Sequence, residues 1–207
     1  MRTFFFVRHG ESEWNAASRM QGQLESDLSE LGRRQSDVNG RLLATRGVEA
    51  LYASPLSRAR QSAEIIASHV NLPILCDDRL KEWNCGDWSG HYYDDVKSRW
   101  REEWAALQAE PYHYRGPNCE NYPDMIARVA PFLEALRGHP ARTLAVVSHG
   151  IIGRVMISTL LALDERGTLG FRQPNDVVYR VTFAAQRASV DHFIGGEGPF
   201  EGVVARS

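Results

Sequence analysis

Three segments of the sequence place basic or nucleophilic side chains directly after a short apolar run. Arg8 and His9 follow "FFFV", His149 follows "LAVVS", and Arg58 follows "LYA" within "YASPLSRARQ". An arginine guanidinium is a planar, permanently charged fork that suits phosphate oxygens. A neutral imidazole is a nucleophile near neutral pH, and a protonated one stabilises negative charge. The combination favours phosphoryl transfer through a covalent phosphohistidine, with no metal and no other cofactor required.

The apolar runs indicate how these side chains could meet. Each run has the continuous hydrophobic character of a buried parallel strand, and ligands of open α/β sheets bind beyond the carboxyl ends of such strands. If the three strands are neighbours, two histidines and two arginines reach one rim of the sheet. Gly10 and Gly150, which follow the histidines, would let the backbone approach phosphate oxygens. A helix beginning just after Gly150 would add its positive end to the anion site.

Strands alternate with helices along the chain, which predicts an α/β fold with three layers, α/β/α, and a mainly parallel central sheet. Predicted strands cover 4–7, 51–53, 73–75, 143–147, 177–183 and 189–193, the last two as an edge hairpin; predicted helices cover 29–44, 57–69, 91–107, 122–137 and 151–163. We expect one domain over residues 1–207. A helical and loop cap lobe for specificity, at about 88–121, would cover the carboxyl ends of the strands, and a loose tail would begin at about 195.

Composition narrows the functional classes. The chain has 207 residues, and 43% of them are hydrophobic, which is enough for a substantial core. Its net charge is -2, so the composition gives no sign of a basic face that would bind nucleic acid. No apolar stretch approaches the roughly 20 residues that span a bilayer. Three scattered cysteines fit neither a disulfide framework nor a zinc site and favour a reducing, cytoplasmic location. The expected partner is a small phosphorylated metabolite.

Each local feature also has a plain structural interpretation. An Arg-His pair at the end of a strand is more often a surface or capping feature than a catalytic one. His149 could be a hydrogen-bonded polar cap on the following helix, and Arg58 and Arg60 could form a solvated helix face. The structural interpretations lose weight because all these residues fall at the same end of predicted parallel strands.

Five ordered blocks of the sequence resemble the histidine phosphatase superfamily, also called the phosphoglycerate mutase-like family. The blocks are "VRHGESEWN", "QGQLESDLSELGRRQ", "YASPLSRARQSAEII", "RLKEWNCGDWSG" and "VVSHGIIGRVM", and together they cover about residues 3–163. A single R-H-G motif is a weak signal, whereas five blocks in the right order are a specific one. The final block is more similar to the phosphatases of the family than to its mutases, which usually have asparagine straight after the glycine.

The resemblance implies a role for each matching position. His9 would be the nucleophile that becomes phosphorylated, and Glu82 would protonate the leaving oxygen and then activate water. Arg8, Arg58 and His149 would complete the phosphate pocket. Further phosphate contacts would come from Asn15, Gln21, Gly22 and Gly150. One departure lies in "GPNCENYPD", where Asn121 follows Glu120 in place of the serine of many related phosphatases, so a phosphate contact there does not carry over.

Three alternatives to a phosphatase stay open at this point. A 2,3-bisphosphoglycerate-dependent mutase shares the first half-reaction, although related mutases are typically longer and carry a basic insertion. A non-catalytic phosphate-binding module would need neither His9 nor Glu82, and a metal hydrolase is disfavoured because no two histidines have H-x-x-x-H spacing. The cap lobe is rich in aromatic residues, some expected in packing and some in a specificity pocket, so the substrate stays open. Dimers are common in the family, which leaves a homodimer open as well.

Overall fold

The computed structural model of the chain describes residues 1–184 and 187–206; Ser207 of the predicted domain lies outside the described residues. Seven strands are described: β1 (Arg2–Arg8), β2 (Ala50–Ala53), β3 (Ile74–Cys76), β4 (Thr143–Ser148), β5 (Val177–Ala184), β6 (Arg187–Ile194) and β7 (Glu197–Glu201). The α-helices are α1 (Glu13–Ala16), α2 (Glu30–Ala44), α3 (Ser57–Val70), α4 (Tyr93–Arg99), α5 (Arg101–Ala109), α6 (Tyr122–Gly138), α7 (Gly150–Leu161) and α8 (Glu165–Leu169). Two short 3-10 turns cover Asp78–Leu80 and Gly86–Trp88.

The strands form one sheet in the order β3-β2-β4-β1-β5-β6-β7. Strands β3, β2, β4 and β1 are parallel, whereas β5, β6 and β7 each pair antiparallel with their neighbours. The sheet is therefore mixed, and its parallel part and flanking helices confirm the predicted α/β class. The strands β5, β6 and β7 follow one another through short connections, which join antiparallel strands and cannot make a parallel crossover. All three strands expected to carry the functional residues lie in the parallel half.

Helices cover both faces of the sheet, which confirms the predicted three layers. On one face Phe4 and Phe6 of β1 pack with α6 and α7, and on the other Phe5 and Val7 pack with α2 and α3. All four side chains are buried. Successive residues of a strand point to opposite faces, so an unbroken apolar run is what a strand between two helical layers requires.

The cap lobe, residues 88–121, packs around a small hydrophobic cluster to which Met20, Trp83 and Cys85 also contribute. Trp88 is fully buried at its centre, against Trp83 and Trp104. The single helix predicted over 91–107 is wrong: the chain forms α4 and α5, separated at Trp100, whose φ and ψ of -117° and 52° are not helical. The sequence contains no proline or glycine at this break, so the interruption depends on tertiary contacts of the lobe.

The predicted loose tail from about residue 195 is also wrong. Residues 197–201 form β7, which pairs with β6 and makes the outer edge of the sheet. Beyond β7, the Arg206 backbone N–H donates to the Gly170 carbonyl at 3.0 Å, so the C-terminal segment is fastened next to α8. Strand β7 was not predicted because its sequence, EGPFE, contains glycine and charged residues and is exposed at every position, so it has no alternation of apolar and polar residues. Within the described residues, no helix is long and apolar enough to cross a membrane.

Candidate active site

The two candidate histidines lie side by side because their strands are adjacent. In the parallel pairing of β1 and β4, Arg8 stands opposite Ser148, so the next residue on each strand is a histidine. The His9 backbone N–H donates to the Ser148 carbonyl at 2.9 Å. The imidazole centroids of His9 and His149 are 5.1 Å apart, with the ring planes at 64°. The expected meeting of the two rings is therefore observed.

The hydrogen bond of His9 determines which ring nitrogen is free. Its Nδ1 lies 2.6 Å from the Gly10 carbonyl oxygen. A carbonyl can only accept, so Nδ1 carries the proton and Nε2 keeps its lone pair in the neutral ring. Burial, reinforced by the charges of Arg58 and Arg8, holds the pKa of His9 well below its ordinary value of 6.5. His9 is therefore a neutral imidazole with Nε2 available for attack.

His149 is fully buried next to His9 and does not itself line the cavity. Its Nε2 bonds the Ser54 hydroxyl at 2.8 Å, and its Nδ1 has no hydrogen-bond partner. Burial, followed by the charges of Arg58 and the nearness of His9, holds the pKa of His149 well below 6.5. The sequence predicts a second histidine that is protonated among phosphate oxygens. The cationic neighbours of His149 favour the neutral ring, so its protonation would depend on the negative charge of a phosphate.

The two arginines are held by backbone carbonyls. Arg58 donates to the carbonyls of Gly22 and Leu24 at 2.7 and 2.8 Å, and Arg8 donates to the Gln173 carbonyl at 2.9 Å. Burial lowers the pKa of both guanidinium groups; that of Arg58 falls to about 10, so Arg58 stays charged at neutral pH. The Nε of each is buried without a hydrogen-bond partner. Buried cations with unused donors favour an anionic ligand.

Glu82 lies at the start of α7. Its carboxylate oxygens accept the backbone N–H groups of Ile151 and Ile152 at 3.2 and 3.0 Å. The expected use of this helix N-terminus for phosphate therefore needs correction, since a carboxylate already occupies two of its donors. A carboxylate is itself the anion that a helix N-terminus favours. Gly150 lines the cavity, and so do Arg8, His9, Arg58 and Glu82.

A salt bridge that the sequence did not reveal fixes the Glu82 loop. Arg128 on α6 pairs with both carboxylate oxygens of Glu120, each at 2.8 Å. The same guanidinium donates to the carbonyls of Lys81 at 2.8 Å and Glu82 at 3.3 Å. The Glu120 carboxylate also accepts the Asn84 backbone N–H. Glu120 therefore orients the segment that carries Glu82, and neither spacing nor motif could have linked it to Arg128.

Helix α1 and the loop after it supply the remaining candidate contacts. Asn15, Gln21 and Gly22 all line the cavity, as their predicted role requires. The Ser12 hydroxyl donates to Gln21 Oε1 at 2.8 Å and so orients that side chain. Gly22 has a φ of +51°, and a Cβ there would stand 2.5 Å from Cys85 Sγ, so only glycine fits. This backbone conformation directs the Gly22 carbonyl toward Arg58, which donates a hydrogen bond to it.

The glycines after the histidines also permit close contacts within the protein. A Cβ on Gly10 would overlap the Gly32 carbonyl in the first turn of α2, so this glycine permits close contact between loop and helix. A Cβ on Gly150 would stand 3.3 Å from the Arg8 guanidinium carbon. Neither glycine was predicted to face protein atoms, because sequence alone does not show which backbone segments approach each other.

The cavity holding these residues has a volume of about 200 Å³ and adjoins a second one of similar size, with which it shares part of its wall. The second cavity, here the aromatic chamber, has Trp83, Tyr93, Trp104, Tyr114 and Tyr122 among its walls. Among the cap-lobe aromatics, Tyr93, Trp104 and Tyr114 thus face a cavity, while Trp88 is core and Tyr92 is half exposed.

The loop before β5 also contributes: Gln173 lines the first cavity, and Asn175 donates to the His9 carbonyl at 2.8 Å. Sequence reasoning missed both, since an irregular loop has no periodic signal.

Comparisons with known proteins agree with this geometry. A family model described as histidine phosphatase superfamily (branch 1) matches residues 4–194. Phosphoserine phosphatase 1 of Hydrogenobacter thermophilus is 36% identical over 165 residues, 79% of this chain and 78% of that protein. A protein of Erwinia tasmaniensis named probable phosphoglycerate mutase GpmB is 34% identical over 183 residues, 87% of this chain and 85% of that one. The structure of a mycobacterial glucosyl-3-phosphoglycerate phosphatase, in complex with VO3, superposes with a TM-score of 0.83 at 27% identity, over 92% of this chain and 98% of that one.

Proposed function

The chain belongs to the histidine phosphatase superfamily, and we propose that it hydrolyses small phosphomonoesters through a covalent phosphohistidine formed on His9. The observation that carries this proposal is the approach of the His9 and His149 rings to 5.1 Å beside two guanidinium groups, that of Arg58 buried and that of Arg8 partly buried. A neutral nucleophile and unused cationic donors around one small cavity are what phosphoryl transfer to nitrogen needs.

In the first step, His9 Nε2 attacks phosphorus. A P–N bond forms while the ester P–O bond breaks, and the leaving oxygen takes the carboxyl proton of Glu82, so that a neutral alcohol departs. Arg8 and Arg58 hold the oxygens of the transferring group by charge-assisted hydrogen bonds. Further contacts come from the Asn15 amide, from Gln21 and Gly22, and from the backbone at Gly150.

In the second step, Glu82 acts as a base. Its carboxylate takes a proton from water, the water oxygen attacks phosphorus, and the P–N bond breaks to return neutral His9 and release inorganic phosphate. His149 stabilises the charge on the phosphoryl group. A bound phosphate dianion supplies the opposite charge that the free site lacks, and an opposite charge nearby favours protonation of an imidazole.

A phosphoglycerate mutase is the second candidate, because several relatives carry that name. The two reactions share the phosphohistidine and differ only in whether water or a second hydroxyl attacks it. Chain length does not separate them, since the Erwinia tasmaniensis relative matches over 85% of its own length. Release of inorganic phosphate from a panel of metabolites, with mutase activity assayed in parallel, distinguishes the two.

The nucleophile is tested by trapping the intermediate. Mixing the enzyme with radiolabelled phosphomonoester and quenching in alkali should label the wild type, because phosphohistidine survives alkali. His9→Ala should take up no label and lose turnover, yet remain folded by circular dichroism. Exposed His113 offers the matched control, His113→Ala, which should be labelled normally. Normal phosphate release by His9→Ala would show that another group is the nucleophile.

The remaining expectations follow as proposals. We propose a single domain that works without metal in the cytoplasm, where the exposed free thiol of Cys76 would stay reduced. Turnover should be insensitive to EDTA. Sedimentation analysis decides between a monomer and the homodimer left open by the sequence.

A further inference from the structure

The phosphate cavity and the aromatic chamber share five lining residues. Four of them, Met20, Trp83, Tyr93 and Ile151, are apolar or aromatic, and the fifth is Arg154 of α7. A molecule whose phosphate lies beside His9 can therefore extend past Arg154 into the chamber. Arg154 is the one charged side chain that lines both cavities.

Arg154 is buried without a counter-ion. It is 8% exposed and donates to the Phe171 carbonyl at 3.1 Å and to the Tyr122 hydroxyl, both neutral acceptors. Its Nε is buried and has no hydrogen-bond partner among the residues that the structure describes. None of the ion pairs within residues 1–184 and 187–206 includes it. A buried cation without a partner is costly, and an anionic ligand would offset that cost.

The other charges around the chamber reinforce the positive potential. Arg206 also lines it, and burial together with the charge of Arg206 lowers the pKa of Arg154 to about 10, which leaves it charged at neutral pH. Glu120 is the acidic residue of the wall, but both of its oxygens are bound to Arg128. Glu82 lies nearer the phosphate cavity and accepts hydrogen bonds from the start of α7.

We propose that Arg154 binds a second anionic group of the substrate, so that the enzyme prefers phosphomonoesters that carry a carboxylate or a second phosphate next to the ester. The proposal rests on the proposed function of the His9 site and adds the substrate class. A guanidinium matches both anions, because its planar N–H donors pair with two oxygens at once. Arg154 acts as a specificity residue and takes no part in bond making.

Matched substrates test the proposal. O-phosphoserine and O-phosphoethanolamine differ only in the carboxylate, and propanediol bisphosphate and propyl phosphate differ in the second phosphate. In the wild type, kcat/KM should favour the anionic member of at least one pair by tenfold or more. Arg154→Met should reduce that ratio by about tenfold to a hundredfold, the range for losing a charge-assisted hydrogen bond. The pair that responds identifies the anion.

The ratio is independent of how much enzyme is folded, since both substrates of a pair are measured on one preparation. Arg154→Lys should keep part of the preference, because the charge stays while the fork is lost. Arg60→Met makes the same change on an exposed face of α3 and should keep the wild-type ratio. An Arg154→Met enzyme with an unchanged ratio would overturn the subsite alone, whereas a failure of the proposed function would appear as His9-independent hydrolysis of propyl phosphate.

Discussion

At the scale of single residues, backbone atoms decide the chemistry of the candidate site. The Gly10 carbonyl fixes the tautomer of His9, and the backbone N–H groups of Ile151 and Ile152 donate hydrogen bonds to the Glu82 carboxylate. Carbonyls of Gly22, Leu24 and Gln173 hold Arg8 and Arg58, the two arginines that line the cavity beside His9. Backbone partners cannot be lost by side-chain substitution, so the reacting groups keep their orientation before substrate arrives.

Replacing Glu82 by Gln should slow poor leaving groups most. Glutamine cannot supply an acidic proton, and an alkyl alcohol leaves slowly without one, whereas nitrophenolate leaves unaided. We expect kcat/KM to fall by about 10²–10⁴-fold for propyl phosphate and by much less for nitrophenyl phosphate. The second-order constant reports the phosphorylation step, which the leaving group controls. Equal losses for the two esters would show that Glu82 is not the general acid. Glu64→Gln makes the same change at an exposed position and provides the control.

At the scale of elements, register and capping place the site. The pairing of Arg8 with Ser148 brings both histidines to one level, and a slip of one residue would turn each side chain to the opposite face. Asn121 begins α6: its side chain accepts the Asp124 N–H at 3.0 Å, and Asp124 accepts the Asn121 N–H. This capping box accounts for asparagine where related phosphatases have serine, because both residue types cap helices.

Asn121→Ala should lower the free energy of unfolding by about 1 kcal/mol, because the first turn of α6 loses its cap. Asn121→Ser should recover most of the loss, since serine also accepts from the third helical N–H. Urea denaturation of the three proteins measures both differences. If serine proved as destabilising as alanine, the asparagine would be needed for its bond to the His113 carbonyl instead of for the cap.

At the scale of the whole molecule, the fold buries three basic groups where its layers meet and partly buries a fourth, Arg8. His9, His149 and Arg58 are at most 2% exposed, and burial also lowers the pKa of Arg8. The parallel half of the sheet delivers them to one rim, and the cap lobe closes the cavity above with Tyr93. Burying these groups costs stability, a cost that functional sites commonly carry for the sake of binding and reactivity.

The two buried histidines should make the protein sensitive to acid. Their pKa values in the folded chain lie well below 6.5, so as pH falls below 6.5 the unfolded chain binds protons first and becomes favoured. Each histidine should remove about 1.4 kcal/mol of stability per pH unit until its folded-state pKa is reached. His149→Gln should show a shallower decline in urea titrations between pH 6.5 and 5. Parallel curves for variant and wild type would contradict the neutral, buried state of His149.

The sequence by itself determined the local features. The apolar runs predicted β1, β2 and β4, the cap at Ser29 predicted the start of α2, and the ordered motifs predicted the site residues, because all of these depend on neighbours along the chain. Only the tertiary structure decided the break at Trp100, the pairing of β7, the clamp of Arg128 on Glu120 and the position of Arg154 between two cavities. The break at Trp100 and the strand β7 are local in sequence, but no proline or glycine marks the break and no hydrophobic pattern marks the strand. Arg128 also donates to the Lys81 and Glu82 carbonyls, and Arg154 lines its cavities together with residues from the N-terminal half of the chain. No local pattern records which distant segments meet.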